Sequence, residues 1–459
     1  MSSQLGTPQR PLRVAVIGAG PSGFYAAQAL LDCPHTVSVD MFDRLPAPYG
    51  LVRYGVAPDH PKIKNVIKIY EKTAAHPEFA FFGNVGIGRD ISVEEMRRFY
   101  DVLLFTCGAE TDKPLGIPGE ELDGSHTATE FVGWYNGHPD YRDRVFDLNR
   151  EVAVIIGQGN VAMDVGRILC KTPDELKNTD IAAHALEALA ASKIREVHLV
   201  GRRGPMQAAF TPPEIKEFGE LADCDVIIDP QLLELNAASR QEYDDPKRLP
   251  RRKNYDILTQ YAQRPVSGKK RKFVIHFCKS PIALSGAGKI EKIQFGINQL
   301  TGEPGRQKAA LTDVREELTC GLVFRSVGYR GVAIPGIPFD EKSGVFPNAE
   351  GRITENGKPV AGFYAGGWIK RGPSGVIGTN KPDSEETVKN ILADLPSLAP
   401  AAQPDRKAVE RFLNERKIRY VSFADWKMID TAEVERGQSA GKPREKFIDI
   451  NEMLAVIKK

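Results

Sequence analysis

No two cysteines of this sequence are close enough along the chain to act together: Cys33, Cys107, Cys170, Cys224, Cys278 and Cys320 stand at least 42 residues apart. Without a C-x-x-C pair, the chain lacks the signature of a dithiol active site, an iron–sulfur ligand run or a structural zinc site. The thiols read as small buried side chains of a reducing compartment. Long apolar runs are missing too; none approaches the roughly 18 residues that a membrane span requires. The opening "MSSQLGTPQRPLR" has no apolar h-region, which argues against a secretory signal. A cytoplasmic location is therefore expected, or the mitochondrial matrix if a transit peptide has been removed. A net charge of only +2 gives the molecule as a whole no excess for binding polyanions, so a charged partner must meet a local patch. What remains is an ordinary globular composition, 41% hydrophobic and 27% charged over 459 residues, enough for two or three domains.

Glycine, by contrast, recurs in two related strings, "GAGPSG" at 18–23 and "GQGNVA" at 157–162. Each follows an apolar, β-branched run ("LRVAVIG" and "REVAVIIG") and precedes a helical pattern, so each reads as strand, tight turn, helix. In G-x-G-x-x-G the first glycine permits the turn, the second lets backbone approach a pyrophosphate, and the third lets helix pack on strand. The phosphate then meets free N–H groups at the positive end of the helix dipole. Gly18, Gly20 and Gly23 fit this plan, as do Gly157, Gly159 and Ala162. A third glycine-rich turn lies in "VAGFYAGGWIKRGPSGVIG" at 360–378, and a long loop, "RLPAPYGLVRYGVAPDHP", spans 44–61. "RKFVIHFCKSPIAL" is among the strand candidates of the middle region, and "LPSLAPAAQP" at 395–404 reads as a linker to a last helical segment.

The two fingerprints differ at the end of the strand that follows. After the first, "TVSVDMFD" ends in Asp43, where a carboxylate would accept hydrogen bonds from a ribose 2′-OH. Asp40 competes for that role, but its strand position points it elsewhere. After the second, "EVHLVGRR" ends in Gly201, Arg202 and Arg203. A carboxylate there would repel a 2′-phosphate, whereas two guanidiniums would clasp it. The second nucleotide is thus expected to be NADP(H), and a tightly held FAD is the natural hydride acceptor for the first site. Hydride transfer needs no nucleophile or metal, and no Ser–His–Asp or metal-ligand constellation is recognisable.

Together, "GAGPSGFYAAQ", "PYGLVRYGVAPDHP", "GQGNVAMDVGRIL", "GRRGPMQAAFT", "GWIKRGPSGVIG" and the tail "VSFADWKMIDTAEVERGQSAGKPREK" closely resemble ferredoxin–NADP⁺ reductases of the adrenodoxin-reductase type. The resemblance covers nearly the whole chain. It implies an α/β fold of two Rossmann-like dinucleotide-binding domains, three-layered with mainly parallel sheets; that the NADP domain is inserted in the FAD domain is inferred from the third glycine turn, which needs a ligand to face, and from the matched strand ends "FTCGAE" and "RSVGYR". The expected boundaries are 1–110 and 328–459 for FAD, the second part carrying a C-terminal extension, and 111–327 for NADP. It further implies single electrons passing to a ferredoxin-type iron–sulfur carrier. Carried over by position, Ser22, Asp43, Leu51, Ile87 and Trp368 would contact FAD, with the backbone of Gly375, Val376 and Ile377. Gln158, Gly159, Asn160 and Val161 would hold the NADP pyrophosphate, and Arg202, Arg203 and Glu214 the adenosine end. Gly375 would also touch the nicotinamide side. His60 and Asp164 look like the family's polar pair near the flavin. Three positions depart from the pattern: Asp43 stands where Glu is usual, Pro212 and Pro213 precede Glu214, and Ser374 replaces a frequent Thr.

Between Lys247 and Lys272 there are ten Lys/Arg residues and one acid, Asp256. A basic run of this kind would steer an acidic ferredoxin. Lys247, Arg248, Arg251, Arg252 and Lys253 are the first candidates for docking, with Lys269 to Lys272 second. No interleaved aromatics or motif suggest nucleic acid. The expected activity is NADPH:ferredoxin oxidoreduction. The alternatives are an NADPH-dependent flavin subunit of a larger complex, or a sensor that binds both cofactors without turnover.

Overall fold

Every side chain of the strands Leu12–Ile17, Val37–Phe42 and Val102–Phe105 is buried. Strands buried on both faces belong in a parallel sheet covered on both sides. In the computed structural model, which describes residues 4–457, these three lie at the centre of a seven-stranded sheet. Its order is Asn348–Ala349, Arg352–Glu355, Lys358–Ala365, Val102–Phe105, Leu12–Ile17, Val37–Phe42, Phe79–Phe82. Neighbours from Lys358–Ala365 to Phe79–Phe82 are parallel, and the other two strands add an antiparallel edge. The register pairs Ile17 with Phe42, so the turn at Gly18 and the carboxylate of Asp43 leave the sheet side by side. That carboxyl edge is where open α/β sheets bind ligands.

A second sheet of six parallel strands follows the order Ser125–Thr127, Leu322–Arg325, Val152–Ile156, Glu196–Val200, Arg271–His276, Cys224–Ile228 among the described residues. One face packs on a large core with the helix Asn160–Cys170. The other packs on Leu284, Ile293 and Phe295 of an antiparallel sheet formed by Lys279–Ser285, Lys292–Thr301 and Lys308–Thr319. "RKFVIHFCKSPIAL" is therefore two strands in two different sheets, separated by Cys278 at φ 56. The left-handed residue between them turns the chain out of the parallel sheet.

The chain forms two units. Residues through Val56, His60–Thr111 and those from Gly328 onward make the first; Ala57–Asp59 and Asp112–Val327 make the second. The second unit thus includes three residues of the loop at 44–61, because Asp59 pairs with Arg167 and Lys171. The segment 395–404 is not a free linker. Leu395, Leu398 and Ala401 are buried, and Asp101 accepts the Ala401 N–H at 2.7 Å.

Beyond that segment the chain returns to buttress the loop. Glu433, fully buried on the helix Phe423–Ser439, takes a fork from Arg53 at 2.8 and 2.5 Å. Arg444 reaches the same carboxylate at 3.2 Å, and the Phe447 N–H at 3.0 Å. Trp426 packs edge-on to Tyr49 at 5.9 Å, with the Arg53 guanidinium 5.0 Å from its ring. Removing one partner from such a pair strands a buried charge, which costs about 3–5 kcal/mol. Glu433→Ala is accordingly expected to lower the unfolding free energy by that amount, read as a lower denaturant midpoint, while the joint change Arg53→Met with Glu433→Leu recovers most of it. Equal midpoints for Glu433→Ala and the parent would refute the buttress.

Candidate dinucleotide-binding sites

Gly18 has φ +112, and a Cβ there would lie 2.5 Å from the Thr106 carbonyl oxygen, so only glycine makes this turn. At Gly20 the situation reverses: a Cβ would meet no protein atom within 4 Å. The space in front of Gly20 is open, and the helix Pro21–Leu31 begins there with no side chain capping its N–H groups. A pyrophosphate needs such a cradle, with bare backbone and uncapped donors. A Cβ at Gly23 would be 2.2 Å from the Gly18 carbonyl oxygen, so the helix rests directly on the turn.

Asp43 closes one side of this cradle. Its carboxylate accepts the N–H of Ala19 and that of Leu45, both at 2.9 Å. Burial outweighs these two bonds and pushes the carboxyl up to about 6. Asp40 is engaged elsewhere: it is fully buried, paired with Arg13 and with Arg406 at 2.7 Å, and accepts the Tyr100 hydroxyl at 2.9 Å.

The long loop and the third glycine turn border the same cradle. Tyr49 donates its N–H to the Ala19 carbonyl at 2.8 Å, and the turn Leu51–Tyr54 follows with Leu51 exposed. A Cβ at Gly367 would sit 2.8 Å from Ser22, so "GGW" lies against the first helix. Trp368 is half-buried, 5.3 Å from the Tyr329 ring, with its indole N–H donated to Ser374 at 3.2 Å. Gly375 and Val376 are exposed and Ile377 half-exposed, just ahead of the helix Asn380–Asp394. The Ser22 hydroxyl is shared with Ser384 at 3.1 Å and is thus tied into the fold. Ile87 lies on a separate turn, bridged to Ile91. His60 is half-buried and immediately precedes the helical turn Pro61–Lys64.

The second unit repeats the cradle. Gly157 has φ +127 with the Ser326 carbonyl oxygen 2.1 Å from a would-be Cβ, and Gly159 again faces open space. Gln158 donates its side-chain amide to the His276 carbonyl at 2.9 Å, and Asn160 accepts the Thr211 N–H at 2.9 Å. Both side chains brace the turn from within, so what residues 158–161 offer outward is backbone. Val161 packs against the core. At the end of Glu196–Val200, Arg202 is exposed and Arg203 half-buried. Burial, and then the charges of Arg202 and Arg251, hold the Arg203 guanidinium below its usual range, with Glu242 opposing them.

The sequence reading missed Arg167. It is fully buried on the helix Asn160–Cys170 and donates to Asp59 at 2.7 Å, Asp164 at 2.6 Å and Glu214 at 3.0 Å. Lys171 joins Asp59 at 2.8 Å. Although burial would raise it, Arg167 and Lys171 keep the Asp59 carboxyl well below the usual range. Glu214, expected at the adenosine end, shares this network with Asp164. Pro212 and Pro213 start its short helix and leave Glu214 buried in the first turn, where it meets the Arg167 guanidinium. An arginine within the apolar stripe of "VAMDVGRIL" was the available signal.

The basic run does not form one patch. Arg248 and Arg251 turn to the buried Glu242 at 3.1 and 3.5 Å, while Arg252 lies 4.9 Å from the Tyr243 ring centre. Lys247 is exposed, and Lys253 edges a groove with Pro212, Pro213 and Leu249. In the second cluster Lys269 donates to the Leu221 carbonyl, Arg271 is buried and Lys272 pairs with Glu196.

No family model matches the chain. It is 46% identical over 459 residues to the NADPH-ferredoxin reductase FprA of Mycobacterium tuberculosis, an alignment covering 97% of this chain and 99% of the relative. The chain belongs to the FprA–adrenodoxin reductase family. The human member, mitochondrial NADPH:adrenodoxin oxidoreductase, is 41% identical over 470 residues, covering 99% of this chain and 93% of its own. The M. tuberculosis FprA structure in complex with NADPH superimposes with a TM-score of 0.91 at 44% identity, over 97% of this chain and 99% of that one. Family membership agrees with the resemblance drawn from the six motifs and with the paired Rossmann-like architecture.

The two glycine positions of a cradle should separate on mutation. The Cβ that Gly20→Val adds meets no protein atom within 4 Å, and the change is expected to leave the melting temperature of the dinucleotide-free protein within a few degrees while abolishing cofactor retention. Gly18→Ala strains the turn and is expected to unfold it. Retention of a bound dinucleotide by Gly20→Val would remove the case for the cradle.

Proposed function

We propose that the protein is an NADPH:ferredoxin oxidoreductase holding FAD in the first unit and NADP(H) in the second. One observation carries this reading: two like-built cradles end in opposite charge, a carboxylate at Asp43 and guanidiniums at Arg202 and Arg203. A ribose diol donates to a carboxylate, and a 2′-phosphate requires cations. The family names agree with it, since FprA and the mitochondrial enzyme are called NADPH-dependent reductases of ferredoxin and adrenodoxin. FAD, when bound, supplies the two-electron to one-electron conversion. The chain's own residues bind and orient: Asp43 the ribose, residues 18–23 and 157–161 the pyrophosphates, Trp368 and the 375–377 turn the wall of the flavin site. His60 and Asp164 position the nicotinamide or handle a proton, and Glu214, anchored with Asp164 on Arg167, serves the adenosine end with Arg202 and Arg203.

The electron acceptor is a small acidic iron–sulfur protein of the ferredoxin type. Lys247, Arg252 and Lys253 remain the best docking candidates, because Arg248 and Arg251 are already turned to Glu242. No helix among the described residues is long and apolar enough to cross a membrane. All six cysteines are free thiols, which suits the reducing environment of the cytoplasm.

Two measurements test the reading. The purified protein should be yellow and should reduce a ferredoxin faster with NADPH than with NADH. Arg202→Gln and Arg203→Gln should each raise KM for NADPH about 10- to 100-fold with little effect on NADH; unchanged coenzyme preference in both variants would reject the phosphate assignment. The second concerns pH. Because the folded Asp43 carboxyl titrates near 6, above the ordinary 3.8, its stabilising contribution to the apoprotein is full below pH 3.8 and is lost as pH rises through 6. FAD binding needs the ionised form, so the affinity of the apoprotein for FAD should rise about 10-fold from pH 5 to pH 7. In Asp43→Asn this rise should vanish.

A further inference from the structure

Helix Leu249–Ala262 packs beside the turn that carries the arginine pair, and the two are joined through one buried carboxylate. Four residues past Arg203, Gln207 is buried and donates its amide to Glu242 at 3.1 Å. Glu242, only 1% exposed, also accepts the Gln307 amide at 3.0 Å and the Gly305 N–H at 2.9 Å. Its other oxygen takes Arg248 at 3.1 Å and Arg251 at 3.5 Å. Arg248 has a second acid, Asp245, at 3.6 Å. Among the described residues Arg251 has the long contact to Glu242 as its one ion pair, and its side chain remains 41% exposed.

We infer that Arg251 is a third arginine of the 2′-phosphate site and that Glu242 is the residue that positions it. This rests on the NADP(H) reading of the second unit. Four guanidiniums, of Arg202, Arg203, Arg248 and Arg251, stand against two carboxylates, Glu242 and Asp245. The excess of two positive charges matches a phosphate monoester, which carries about −1.5 to −2 at neutral pH. Gln207 and Glu242 form the chain of contacts from the arginine turn to Arg251, whose charge is among those that lower the Arg203 guanidinium after burial and Arg202. Three like charges gather in a folded protein at a cost, and an anion that all three contact offsets it. Arg251 is thus withdrawn from the ferredoxin surface and given to coenzyme selection.

Calorimetry on the flavin-loaded protein with 2′,5′-ADP, and with ADP as the control lacking the 2′-phosphate, tests this. Arg251→Gln should weaken 2′,5′-ADP binding about 10-fold and leave ADP unchanged. Arg251→Lys should recover part of the loss, since it restores charge without the fork. Glu242→Gln should weaken 2′,5′-ADP as well, and combining it with Arg251→Gln should add little, because both act through one guanidinium. Ferredoxin turnover at saturating NADPH should keep its salt dependence in Arg251→Gln. Unchanged 2′,5′-ADP affinity in that variant, or a raised KM for ferredoxin instead, overturns the assignment of Arg251. Tighter binding in Glu242→Gln overturns the positioning role, since Glu242 would then act only as an opposing charge. If the parent protein itself fails to prefer 2′,5′-ADP over ADP, the NADP(H) reading fails first, and the two failures are told apart.

Discussion

A pyrophosphate can reach the N-terminus of a helix only where no side chain intervenes, and this steric condition governs both halves of the molecule. It is met twice by the same device. A glycine in left-handed conformation drives the chain off a buried parallel strand, and a second glycine leaves the helix start bare. The parallel sheets exist to bring that turn to their carboxyl edge, and the buried, β-branched strands make the edge rigid. Everything that distinguishes the two sites is then added at one neighbouring position, the end of the next strand.

At that position charge decides identity. Asp43 is held by two backbone N–H groups beside the first turn, and its burial keeps it close to the protonation balance until a donor arrives. Arg202 and Arg203 stand at the corresponding place in the second unit, where the charge of Arg251 adds to theirs and that of Glu242 opposes it. The same backbone therefore presents an acceptor in one unit and a pair of cations in the other, the contrast on which the proposed discrimination between a ribose diol and a 2′-phosphate rests.

Buried charge also does the structural fastening. Glu433 ties the returning C-terminal segment beneath the loop that flanks the first cradle, through Arg53 and Arg444. Arg167 gathers Asp59, Asp164 and Glu214 within the second unit, and Glu242 joins the arginine turn to its neighbouring helix. Each is a desolvated ion fully supplied with partners, the condition under which such an ion fixes geometry.

The glycine turns, the strand-end acid and the strand-end arginines were legible in the residue order because each is a local feature. Strand, turn and helix are contiguous, and a change from Asp43 to Arg202–Arg203 is visible without knowing what packs against it. The broken strand at Cys278 escaped notice because an apolar alternation continues through it, and the two sheets it serves are not encoded in its own pattern. Glu214, Arg248 and Arg251 likewise carried no local sign of where they turn. The sequence by itself determined where a phosphate could meet bare backbone and which charge would stand beside it. Only the tertiary structure decided which cation compensates which carboxylate, since those partners lie from 3 to 380 residues apart and are selected by desolvation, which acts only once the chain has closed around them.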